Sequence, residues 1–121
     1  VFVLEQNVDS ALERDEFEAI SHHFIAFLDE IPVGTARWRV TDYGVKLERF
    51  SVLNQYRGQG IGQELVAAVL KDIASSPEAA GKIKYLHAQL SAVGLYSKFG
   101  FEKVGDLFEE CFIQHYKMQL A

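Results

Sequence analysis

The feature that most constrains this chain is a change of period across a glycine-rich turn. Residues 45–53 alternate as a strand does. Ile61, Leu65, Val69 and Ile73 then recur at every fourth position, with Val66 and Leu70 widening the stripe. Between the two patterns lies Gln55-Tyr56-Arg57-Gly58-Gln59-Gly60-Ile61-Gly62. A helix that starts on such a turn leaves its first N–H groups without internal partners, and glycines let a ligand approach them closely. Those groups and the positive end of the helix dipole suit an anion, most often phosphate, and Arg57 adds a fixed cation. A P-loop is excluded because no Lys-Ser or Lys-Thr follows the glycines. A dinucleotide fingerprint is excluded because the spacing is G-x-G-x-G and the next strand ends in Gln89 and Leu90. The pattern R/Q-x-x-G-x-G/A fits Arg57 to Gly62. The plainer reading is a turn that only lets a helix pack closely on a sheet.

The rest of the chain sorts around that junction. Val1 to about Ile20 reads as helix-like and interrupted, with an acidic cluster at Glu13, Asp15, Glu16 and Glu18 that suits a solvated face. His22 to Leu28 suits a strand, Asp29 to Pro32 a turn, and Val33 to Thr41 the partner strand. After the turn at Asp42-Tyr43-Gly44, Val45 to Leu53 is a third strand, on which Lys46, Glu48, Phe50 and Val52 are expected to share one face. The helix from Gly60 to Ala74 stops at Ser75-Ser76-Pro77. Lys84 to Leu90 is a strand, Ala92 to Lys98 a short helix ended by Gly100, and Phe101 to Phe108 and Cys111 to Leu120 are two final strands. Three consecutive strands followed by a strand-helix-strand unit predict a mixed, mostly antiparallel α/β sheet with flanking helices and one parallel crossover.

Composition narrows the function. At 121 residues, with 49% hydrophobic and 24% charged residues, the chain has the balance of one ordinary globular domain. A net charge of -5 disfavours nonspecific nucleic-acid binding, and no apolar run is long enough to span a bilayer. Cys111 is the only cysteine, which fits a reducing, cytoplasmic setting without an intrachain disulfide. The chain opens on Val1 inside an apolar run, so residues 1–121 are expected to be a single domain lacking an early element.

Two stretches together resemble the GNAT superfamily of acyl-CoA N-acyltransferases. One runs from Leu47-Glu48-Arg49-Phe50-Ser51-Val52-Leu53 into Arg57–Gly62 and its helix. The other is Gln89-Leu90-Ser91-Ala92-Val93-Gly94-Leu95-Tyr96-Ser97-Lys98-Phe99-Gly100-Phe101, similar to the family's N-x-x-A-x-x-x-Y…G-F segment. The start, Val1 to Gln6, and the tail, Phe108 to Met118, resemble the small ElaA-like branch. The resemblance implies a first strand and a helix head before Val1, and Gln89 departs from the family's usual Asn. It implies acetyl-CoA as co-substrate and direct acetyl transfer to a primary amine on a small molecule or peptide. Phe50 and Val52 would pair with the pantetheine arm as an added strand would. Amides of Arg57, Gly58, Gln59, Gly60, Ile61 and Gly62 would cradle the pyrophosphate, Gln89 would touch the arm, and Tyr96 would lie near the thioester sulfur.

Direct transfer needs a base for the ammonium, donors for the thioester oxygen and an acid for the leaving thiolate. Tyr96 is the expected acid. Glu48 is the expected base, against the alternative that it is a strand charge paired with Lys46 or Arg37. Glu5 and His115 are further substrate-side candidates. Cys111 and His115 could face one side of a strand, but no third ligand stands at metal spacing, so no metal is expected. A homodimer is a possible assembly for such a fold. The competing function is a catalytically silent acyl-CoA-binding or regulatory module.

Overall fold

The computed structural model describes the backbone of Val3–Gln6 together with residues 21–120. Nine elements follow in order: β1 (Val3–Gln6), β2 (His22–Leu28), β3 (Ile31–Val40), β4 (Val45–Val52), α1 (Ile61–Ala74), β5 (Lys84–Gln89), α2 (Val93–Ser97), β6 (Glu102–Glu110) and β7 (Ile113–Leu120). The strands form one sheet in the order β1-β2-β3-β4-β5-β7-β6. Every neighbouring pair is antiparallel except β4 and β5, which run parallel across the α1 crossover. A mixed, mostly antiparallel sheet with one parallel crossover is the architecture the sequence predicts.

One end of the chain departs from expectation. Val3–Gln6 lies in the segment read as helix-like, yet it is a strand and pairs with β2 at the sheet edge. The chain opens on four apolar residues, Val1 to Leu4, and a free sheet edge captures such a run more readily than an isolated short helix forms. The acidic cluster Glu13–Glu18 and the remainder of that segment lie outside the described residues.

Helix α1 lays its stripe on the sheet. Ile61, Leu65, Val66, Val69 and Ile73 are buried against Ala36, Trp38, Val45, Leu47, Leu86 and Met118. Each such aliphatic side chain contributes about 1.5–3 kcal/mol on leaving water. A polar clasp fixes the far end of the helix: Trp38 Nε1 donates to Asp72 Oδ2 at 2.9 Å, and the His22 ring stacks on the indole at 4.0 Å. The N-terminal end of α1 is thereby aimed along the sheet toward β4 and β5.

Two irregularities position the site. Parallel pairing of β4 with β5 covers only Val45↔Lys84 and Lys46↔Tyr85, so the two strands part beyond Lys46. On its other side β4 carries a bulge: Thr35 pairs with Ser51 and Arg37 with Glu48, two steps on β3 against three on β4. Arg49 takes the extra place at a φ of 61°. A bulge reverses the alternation, so Glu48 does not share a face with Phe50 and Val52. Phe50 and Val52 pack on the core side with α1, whereas Glu48 sits on the opposite face with Arg37, Arg39 and Lys46. The expected shared face is corrected on this point.

Candidate active site

The gap between β4 and β5 opens into a cleft of about 1000 Å³ that reaches both faces of the sheet. Its lining includes Glu48, Phe50, Val52, Arg57, Gly58, Gly60, Ile61, Gly62, Gln89, Tyr96 and His115 from the residues singled out in the sequence. Gln59 stands in the same turn but is not part of the lining. Glu5 lies on β1, three strands away from β4 in the sheet order.

On the α1 face the turn presents main chain. Gly58 and Gly60 have φ of 80° and 83°, and a Cβ built on either meets nothing within 4 Å. The left-handed backbone thus demands glycine there, while the space above it is open. Gly60 caps the helix, and the first amide bonded back into it is Glu64 N–H, to the Gly60 carbonyl at 3.1 Å. The amides of Gly58 through Gly62 make no hydrogen bond to other described residues. Arg57 is held beside them, its Nε donating to the Val52 carbonyl at 3.2 Å. This cluster of unpartnered N–H groups, a helix N-terminus and a guanidinium can accept an anion without moving.

Tyr96 stands on α2 at the same side of the gap. Its ring is buried edge-on against Phe50 and Phe101, at 5.8 and 6.1 Å. Burial pushes its phenol up to about 12, so it stays protonated throughout the physiological range. A hydroxyl in that state is a proton donor.

The opposite face carries charge. Glu48 Oε2 accepts from Arg37 Nε at 2.6 Å and Arg39 Nε at 2.8 Å, and Lys46 Nζ lies 3.6 Å from Oε1. Burial alone would raise this carboxyl, but the hydrogen bonds and charges of Arg39 and Arg37 outweigh it and hold the group below its ordinary 4.5. Glu48 is thus held in ion pairs with Arg37, Arg39 and Lys46, which weaken its basicity.

Two imidazoles face the same space. His87 Nδ1 lies 3.2 Å from Glu110 Oε1, and His115 Nδ1 donates to the Ile113 carbonyl at 2.8 Å. Glu110 Oε2 is also 3.8 Å from His115 Nε2, and the Phe108 ring packs between the two histidines, at 5.1 and 5.8 Å. Burial and then the charge of Lys46 lower the His87 pKa below 6.5, which leaves it neutral at physiological pH. A neutral ring that donates from Nδ1 keeps a lone pair on Nε2. Sequence reading did not single out His87 or Glu110. The available signal was position: His87 is two residues before Gln89 on β5, so the two point to the same side.

Cys111 is not on a strand. It occupies the turn between β6 and β7 with Phe112, at φ of 50° and 63°, so the expected strand spacing to His115 does not hold. No group of three metal-ligating side chains occurs among the described residues. No helix among them is long and apolar enough to cross a membrane.

Residues 1–121 match the family model of the acetyltransferase (GNAT) domain. The chain belongs to the GNAT acetyltransferase family. Within that family it is 40% identical over 119 residues to the uncharacterized N-acetyltransferase YjcF of Bacillus subtilis, covering 98% of this chain and 83% of that protein. The crystal structure of Escherichia coli ElaA superposes with a TM-score of 0.74 at 28% identity, over 84% of this chain and 68% of that one. Arabidopsis thaliana Naa50, solved in complex with the bisubstrate analogue CoA-Ac-MVNAL, shares the fold with a TM-score of 0.72 at 22% identity, over 99% of this chain and 98% of that one. This GNAT chain is thus an acyltransferase by family, and the expected resemblance to the ElaA branch agrees with these matches.

Proposed function

We propose that this GNAT protein transfers the acetyl group of acetyl-CoA directly to a primary amine. The observation that carries the reading is the β4/β5 gap, which joins the open amides at the head of α1 to Tyr96 on one side and His87 on the other. The diphosphate docks on the amides of Gly58 to Gly62 beside Arg57, and the pantetheine arm lies along the edge of β4 that β5 leaves free, past Phe50 and Val52. Gln89 flanks the arm at the end of β5.

The thioester then lies in the gap between the two faces. His87 Nε2 accepts a proton from the incoming ammonium, oriented by Glu110 through Nδ1. The freed amine nitrogen attacks the thioester carbon, and main-chain N–H groups on the free β4 edge stabilise the oxyanion. As the carbon–sulfur bond breaks, Tyr96 gives its proton to the thiolate. The products are the amide and the free thiol of CoA: the second proton shed by the attacking nitrogen restores the Tyr96 phenol, and the proton held by His87 passes to solvent. Glu48 acts here by neutralising Arg37 and Arg39 at the cleft wall, while His115 and Phe108 hold the far side of the amine's approach.

The test is a coupled thiol-release assay across a panel of small amines and short peptides. Turnover that depends on both acetyl-CoA and an amine supports the proposal. Binding of acetyl-CoA without turnover of any amine would instead identify a silent acyl-CoA-binding module, and absence of binding would remove the reading altogether.

A further inference from the structure

Lys46 stands where β4 and β5 part, on the face of the sheet opposite α1. It is paired in register with Arg39, while its neighbour Leu47 faces the helix and is buried. The amides at the head of α1 belong to the other face, so Lys46 is not placed to serve a diphosphate there. Its recorded partner is Glu48 Oε1 at 3.6 Å, a looser contact than the 2.6 and 2.8 Å bonds that bring the two arginines to Oε2.

The groups facing this corner come from five strands. Arg37 and Arg39 on β3 and Glu48 on β4 form the ion-pair centre; His87 and Tyr85 stand on β5; Glu110, at the end of β6, bonds His87. His115 on β7 bonds the Ile113 carbonyl. Both carboxylates of the cleft are thus engaged. The charge of Lys46 is felt as far as His87, whose proton affinity it lowers after burial has done so. A second ammonium on the acceptor would meet repulsion here, and an anion would meet attraction.

We propose that the acceptor amine carries an anionic group, a carboxylate or a phosphate, and that Lys46 binds it while the amine faces His87. The inference rests on the acetyl-transfer reading above and names its substrate class. An amine with a charged tail would be gripped at two points, which fixes its nitrogen toward the thioester.

Matched acceptors test it in the thiol-release assay: an amino acid against its carboxamide, an amino sugar against its phosphate ester, and an aliphatic diamine. The expected result is a kcat/KM at least tenfold higher for the anionic member of a pair, and the preferred pair tells carboxylate from phosphate. Lys46→Gln should bring the ratio near unity chiefly through KM, and Lys46→Arg should restore it, with acetyl-CoA affinity unchanged in both as the check on folding. Equal or better turnover of the carboxamide, the unphosphorylated sugar or the diamine by the wild type overturns the inference alone. So does a ratio that Lys46→Gln leaves unchanged. No thiol release with any amine overturns the transfer reading and this inference with it.

Discussion

His87 Nδ1 and Glu110 Oε1 meet at 3.2 Å across the cleft, although 23 residues of chain separate them. The pair gives the imidazole a fixed tautomer, and its lowered pKa keeps it neutral at pH 7. An essential base must be deprotonated to act, so kcat/KM should rise with pH through a single limb whose midpoint lies below the ordinary imidazole value of 6.5. His87→Ala should abolish that limb and cost about 10²–10⁴-fold in rate. Glu110→Gln should keep the fold and raise no new limb, but lower kcat. A profile unchanged in His87→Ala would assign the base elsewhere.

Tyr96→Phe should lower kcat by about 10- to 100-fold, within the range of a lost proton donor. Acetyl-CoA affinity should stay near wild type, since the phenol acts on the leaving sulfur. Because the Tyr96 pKa is pushed up to about 12, no alkaline limb from this residue should appear below pH 10 in the wild type. Presteady-state thiol release with both proteins checks each point.

Glu48 joins β3 to β4 through Arg37 and Arg39, so Glu48→Gln should destabilise the fold by about 3 kcal/mol at neutral pH. The sign with pH follows from the lowered carboxyl pKa. The ion pair contributes fully above 4.5 and its contribution is lost as pH falls through the folded value, so the gap between wild type and variant should close in acid. Urea melts at pH 7 and pH 3 measure it. A gap that widens in acid would contradict the assignment.

Gly60→Ala should cost about 1–2 kcal/mol in stability, because its φ of 83° is left-handed while no neighbour blocks a Cβ. Gly60→Glu should in addition weaken CoA binding by about tenfold or more, by placing a carboxylate where the diphosphate docks. Calorimetry with CoA separates the two effects.

What the sequence makes legible depends on how local its cause is. The stripe from Ile61 to Ile73 and the glycines before it announce α1 and its open head, because period and φ preference are properties of a few adjacent residues. Tyr96 and Gln89 were found through a motif of similar locality. The bulge at Arg49 has no such signature: arginine carries no preference for a φ of 61°, and only pairing with β3 reveals the extra residue. That single insertion turned Glu48 away from Phe50 and into the arginine pair. The meeting of His87 with Glu110 likewise needs the register of β5, β7 and β6 before it can be seen. Cys111 and Phe112 form a left-handed turn without glycine or asparagine, so the sequence pattern puts the break two residues early, at Glu109 and Glu110, and reads Cys111 as strand.

The most direct test follows the amide resonances of Gly58, Gln59, Gly60, Ile61 and Gly62 by nitrogen-15 NMR while CoA, and separately pantetheine, is added. The account predicts large shifts at these five amides with CoA, saturating in the micromolar range, and little change there with pantetheine, which lacks the diphosphate. Amides that stay still with CoA, or respond equally to pantetheine, would contradict it.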